Sequence, residues 1–136
     1  MIRISRINAT RWKFNSRSVK GVLMLTSEMK NRVLERLKTV DPLKVILFGS
    51  HAYGTADVDS DIDLLGVTSD EFMPKSFSDK MAVYLRVAEA LAEIEKDVPI
   101  DLIVHTKAMH AKFIALDGMF ARKILSQGDI LYEKPH

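Results

Sequence analysis

Residues 45–67 read VILFGSHAYGTADVDSDIDLLGV, and this stretch decides the architecture. A run of apolar strand formers, residues 43–48, stops at once at Gly49-Ser50. A second run, Ile62–Val67, follows with Asp61-Ile62-Asp63 at its head. Both runs are apolar on both faces beyond their ends, which predicts two central strands of a sheet. The small, polar residues 51–60 between them predict a turn of helix followed by a loop.

Outward from this centre the pattern alternates. A helix is expected from Ser27, which would serve as its N-cap, with Met29, Val33, Leu37 and Val40 on its apolar face and Asp41-Pro42 as its stop. After a loop at 68–78, residues 78–96 predict a long helix. Its stripe would comprise Met81, Leu85, Ala88, Leu91 and Ala92, joined by Tyr84, Val87 and Ile94. A third strand is expected over 97–104. Thr106 would cap a helix running to Leu116; after Gly118, residues 120–125 continue helical, Gly128 closes them, and 130–132 form a short last strand. This order predicts an α/β or α+β fold: a small mixed β-sheet with helices packed on one side.

The totals bound the function. A chain of 136 residues suits one domain. With no cysteine, disulfides and thiolate metal sites are excluded, and a cytoplasmic home is expected. No apolar run reaches the roughly 18 residues needed to cross a bilayer. Charge is uneven: Arg3, Arg6, Arg11, Lys13, Arg17 and Lys20 fall in residues 1–20 without an acid, and the remaining 14 basic residues face 18 acidic ones. Residues 1–23 therefore read as a basic arm or an extended start before Met24, with 24–136 as the domain. The arm could contact an acidic partner, pack on the domain, or act as a transit leader.

Three acids and one turn carry the candidate chemistry. Glycine at 49 lets the backbone turn sharply and a ligand approach, and Ser50 could cap the short helix whose amides attract phosphate. Asp61 and Asp63, two apart on a strand, point the same way. Like charges so close repel unless protonated or bridged by a cation. Oxygen-only ligands suit Mg²⁺ or Mn²⁺ held together with substrate phosphates. Asp101, in VPIDLIV, is an acid in an apolar strand, costly to bury unless paired or metal-bound. If that strand neighbours Ile62–Val67, three carboxylates converge, enough to hold two ions about 4 Å apart. Asp101 could also take a proton from an incoming hydroxyl. Each feature alone has a plainer explanation: a strand-to-helix turn, a solvated acidic loop, an acid at a strand end.

Competing motifs fail at essential positions. Gly49 and Gly54 are spaced as in a P-loop, but position 55 is Thr where Lys is required. A calcium loop counted from Asp57 would need Gly at 62 and Glu at 68, and has Ile62 and Thr68. His51, His105 and His110 lack zinc spacing and read as scattered surface residues; Met24, Met29, Met73, Met81, Met109 and Met119 read as core fillers.

The stretch resembles the signature of the polymerase β nucleotidyltransferase superfamily: Gly-Ser, ten residues, then Asp-x-Asp, here Gly49-Ser50, residues 51–60 and Asp61-Ile62-Asp63. Asp101 matches that superfamily's third carboxylate. The wording is most similar to the minimal nucleotidyltransferases (MNT), over roughly residues 27–133. The resemblance implies that Asp61, Asp63 and Asp101 are catalytic and bind two Mg²⁺ ions. It also implies that Gly49 and Ser50, with Ser60 beside the acid pair, hold a nucleoside triphosphate, expected to be ATP. It implies transfer of a nucleoside monophosphate to a hydroxyl with release of pyrophosphate. MNT proteins often act as antitoxins beside a HEPN ribonuclease toxin, and some adenylylate a toxin tyrosine. The alternatives are transfer to a small molecule such as an aminoglycoside, and neutralisation by contact alone. The chain departs from some relatives in having no Lys or Arg in the signature loop, where His51, Tyr53 and Asp57 stand. No membrane association is expected, nucleic acid is the least favoured partner, and a homodimer or hetero-oligomer is compatible with the sequence.

Overall fold

The computed structural model describes residues 2–4 and 25–135 of the chain. The fold is a mixed five-stranded sheet in the order β1-β4-β3-β2-β5, formed by β1 (Ile2–Ile4), β2 (Lys44–Phe48), β3 (Ile62–Val67), β4 (Ile100–His105) and β5 (Asp129–Glu133). β3 and β4 run parallel, and the other neighbours are antiparallel. Parallel pairing needs a crossover. Here α3 (Phe77–Ala90) and α4 (Ala92–Glu95) provide it. The two strands flanking the signature are central, as their two-faced apolarity requires.

Side-chain alternation divides the core. Val45 and Leu47, Ile62 and Leu64, and Ile100, Leu102 and Val104 face α3, α4 and α1 (Ser27–Leu37) in the larger cluster, with Met29, Val33, Val83, Val87 and Leu91. This is the principal helical layer. The opposite face carries Ile46, Phe48, Leu65 and Ile103, packed on Ile124 with Phe113 and Phe120. Thus α5 (Lys107–Leu116) and α6 (Met119–Gln127) also close part of the second face. Asp63 and Asp101 lie in the alternation of this second face.

Several boundaries shift from expectation. Thr26, not Ser27, caps α1, its hydroxyl accepting from the Met29 amide at 3.2 Å. The helix expected over 78–96 is interrupted at Leu91 (φ −96°, ψ −2°), whose amide donates to the Ala88 carbonyl three residues back at 3.1 Å. Leu91 is buried in the core at this point. The buried stripe is Val83, Tyr84, Val87, Leu91 and Ile94, while Leu85 is exposed. Of the methionines, Met29 and Met109 fill the core, but Met73 and Met119 face solvent. β4 begins after Pro99, because the Val98 amide is still bonded to the Ile94 carbonyl of α4. β1 had no recognisable sequence signal, and it pairs with β4 at the sheet edge. Residues 5–23 of the basic arm, and Met24, lie outside the described residues. Among those described, no helix is long and apolar enough to cross a membrane.

Candidate functional site

The signature folds into one corner of the sheet. β2 ends at Phe48, and Gly49 turns the chain with φ 72° and ψ −161°, a conformation that L side chains rarely adopt. Gly49 rather than Ser50 is the N-cap of α2 (Ser50–Tyr53), and its carbonyl accepts from the Ala52 and Tyr53 amides at 3.0 Å each. Ser50 is therefore the first helical residue, half-buried at the start of α2. Glycine at 49 is demanded twice. A Cβ there would overlap Asp63 Oδ2 and sit 2.9 Å from Asp63 Cγ.

Register brings the acids together. Asp63 is paired with Phe48 on one side and with Asp101 on the other. Asp61 precedes β3 by one residue, close enough to Asp101 to feel its charge. Asp101 is 3% exposed, whereas Asp61 and Asp63 are partly open. Burial, reinforced by the negative charge of Asp101, raises the pKa of Asp61 above the ordinary carboxylate range, and His51 opposes the rise. Among the described residues no three such side chains already close around one point at ligating distance. The structure places the three acids at adjacent ends of neighbouring strands, beside the Gly49-Ser50 turn.

Ser60 is used locally. Its hydroxyl accepts from the Asp57 amide at 3.0 Å, and its amide donates to the Asp57 carbonyl at 3.2 Å, closing the turn before Asp61. Two further residues stand by this corner: His51, expected at the surface, and Lys123, which the sequence did not single out. His51 is 1% exposed, and its Nε2 lies 3.2 Å from the Ser60 carbonyl. Burial holds it below the usual histidine pKa, against the Ser60 carbonyl and the charges of Asp57 and Asp61. Lys123, on α6, places its Nζ 4.9 Å from the centre of the Tyr53 ring. It brings a cation against α2, whose own sequence lacks Lys and Arg. Neither placement is visible without the tertiary fold, because His51 is buried within a polar stretch of sequence and Lys123 comes from 70 residues beyond Tyr53.

The expectation of surface histidines is overturned for all three. His51, His105 and His110 are buried. His105, at the end of β4, and His110, on α5, approach Nδ1 to Nδ1 at 3.0 Å, with Phe113 against both rings. One ring must donate and the other accept, so at most one of the two is protonated when bonded. Burial and the neighbouring His110 push His105 down to about 3, and burial with Lys44 lowers His110. A histidine depressed on folding contributes stability above its unfolded pKa that is lost as pH falls towards the folded value. Denaturation midpoints should therefore drop from pH 7 to pH 5. In a His105→Gln/His110→Gln variant, urea titration at the two pH values should show that part of the drop removed.

The family model described as "Polymerase beta, Nucleotidyltransferase" matches residues 31–136. Among solved structures, a toxin–antitoxin crystallised with AMP-PNP is similar in fold, with a TM-score of 0.50 and 20% identity over 77% of this chain and 73% of that one. A chain from Sulfolobus solfataricus described as a nucleotidyltransferase has a TM-score of 0.49 and 20% identity over 77% of each chain. No curated protein matches the sequence significantly. The family match spans most of the chain, including the Gly49-Ser50 turn and all three acids, so the chain belongs to the polymerase beta nucleotidyltransferase family.

Proposed function

We propose that the corner formed by Gly49, Ser50, Asp61, Asp63 and Asp101 transfers AMP from ATP to a hydroxyl, a tyrosine of a HEPN-type toxin, and that the chain thereby acts as an antitoxin. The observation carrying this reading is the Asp63–Asp101 pairing next to a glycine turn that only glycine can make. The donor set fits Mg²⁺ or Mn²⁺. It consists of carboxylate oxygens alone, and a bound cation would offset the burial and the Asp101 charge that raise the proton affinity of Asp61. When bound, a pair of ions would neutralise triphosphate charge and polarise the transferring phosphoryl group.

The chain's own residues have separable tasks. Asp61, just before β3, and Asp63, within it, would hold the nucleotide-bound ion. Asp101, across from Asp63, would complete the set and accept the proton of the attacking hydroxyl. The Gly49 turn keeps the backbone low enough for the triphosphate to lie against the start of α2. Ser50, first in that helix, would bond a phosphate oxygen, and Lys123, whose Nζ lies over the Tyr53 ring of the same helix, would offset its charge. Ser60 closes the turn before Asp61 and would stand beside the bound nucleotide. The same fold occurs in the toxin–antitoxin bound to AMP-PNP, the setting that the signature resemblance implies.

Neutralisation by contact alone competes, favoured by the absence of Lys and Arg from residues 51–60. One assay separates the two. The protein is incubated with α-labelled ATP, Mg²⁺ and a host-cell lysate. Label on a single protein, mapped to a tyrosine, is expected; label on a small molecule or on nothing would reject protein adenylylation.

A further inference from the structure

We infer that His51 is a positioning residue that fixes Asp61, and through it the metal ligand set, by clasping the peptide on its N-terminal side. The inference rests on the nucleotidyltransferase reading of the site.

Asp61 stands outside β3, where no strand partner holds it: the ladder begins at Ile62, paired with Ile100. A carboxylate on a loose loop would sample many positions, and a metal site loses affinity when its ligands must be ordered on binding. Here both peptides flanking Asp61 are anchored. On the C-terminal side the Ile62 amide donates to the Pro99 carbonyl at 3.0 Å. On the N-terminal side the Ser60 carbonyl meets His51 Nε2 at 3.2 Å. A carbonyl only accepts, so His51 donates from Nε2.

The origin of the clasp gives it a function beyond packing. His51 is the second residue of α2, directly after Ser50. Its ring therefore ties the element that would receive phosphate to the loop that presents Asp61, nine residues away in sequence. The Asp57–Ser60 turn stiffens the far side of that loop, with the Asp59 amide also donating to Asp57 Oδ1 at 2.9 Å. Burial of the ring, 1% exposed, keeps water from competing for the carbonyl. The loop sequence thus has an inward donor at 51 and an outward acid at 61, joined through one main-chain oxygen.

The test compares His51→Leu, which keeps much of the volume but cannot donate, with His51→Gln, whose amide can donate at a similar reach. Mn²⁺ binding is read by electron paramagnetic resonance, nucleotide transfer by steady-state kinetics, and folding by thermal melts. In His51→Leu, Mn²⁺ affinity and kcat should fall by roughly 10- to 100-fold, the usual cost of losing a residue that orients a metal ligand. KM for ATP should change by less than about threefold, since the triphosphate grip on α2 is kept. His51→Gln should recover most of both losses. Equal losses in Leu and Gln variants that melt alike, or wild-type Mn²⁺ affinity in the Leu variant, would overturn the inference. Wild-type protein that binds no Mn²⁺, or binds it equally well as Asp61→Asn, would overturn the site reading itself and this inference with it.

Discussion

Replacing Asp61 and Asp63 together by Asn should reduce nucleotide transfer on the order of a thousandfold or more while the protein still folds. The magnitude follows from the task. Metal-centred charge stabilisation supplies several kcal/mol to a phosphoryl-transfer barrier, and each 1.36 kcal/mol is about tenfold in rate. Asn keeps the shape and removes the charge, so the loss would lie in ion binding rather than in packing. Stability should respond in the opposite sense for Asp61. Its folded pKa is raised by burial and by Asp101, so its contribution to stability is complete below its unfolded value and is lost as pH rises through the raised one. At pH 7 the Asp61→Asn single variant should melt at the same temperature as wild type or higher, and the difference should shrink towards pH 4. A large fall in melting temperature at pH 7 would mean that Asp61 holds the fold instead of serving the site.

Gly49→Ala should damage fold and site at once. The backbone at φ 72° and ψ −161° lies in a region open essentially to glycine, and forcing another residue there costs about 1–3 kcal/mol. The new methyl would also strike the Asp63 carboxylate, within 2.9 Å of Cγ and 3.2 Å of Cβ. Asp63 must then swing away from its place beside Asp101, and misplacing a reacting group by about 1 Å can cost roughly 100-fold in rate. Gly54→Ala is the matched control. Gly54 also has a positive φ, 79°, but a Cβ there meets nothing within 4 Å. That variant should lose about 1–2 kcal/mol of stability from left-handed strain alone and keep its transfer rate within a few-fold. Denaturant titration and kinetics on the two variants separate strain from collision. Equal transfer rates would show that Asp63 has no role that depends on its position.

The sheet's centre was legible because its strands carry their information locally. Residues 43–48 and 62–67 are apolar on both faces and end in turn residues, so their burial, order and boundaries could be read almost to the residue. The candidate acids were legible for the same reason: charge is conspicuous at the head of an apolar strand. What could not be read was placement between elements. That Asp63 lies directly across from Asp101 depends on the β3–β4 register, which the crossover through α3 and α4 sets. The buried histidines could not be foreseen because His51 sits in a polar stretch of sequence, and the His105–His110 contact depends on how α5 folds back on β4. The break at Leu91 was hidden since a leucine there fits an unbroken helical stripe equally well. β1 left no sequence signal because three residues pairing at a sheet edge make no periodic pattern.

The central claim is that the Asp61, Asp63 and Asp101 end of the sheet binds a metal–nucleotide pair, and a crystal grown with Mn²⁺ and a non-hydrolysable ATP analogue tests it most directly. The account predicts anomalous scattering between these three carboxylates, with the triphosphate against the Gly49-Ser50 turn. Manganese and nucleotide located elsewhere, or a triphosphate bound away from that turn, would contradict it.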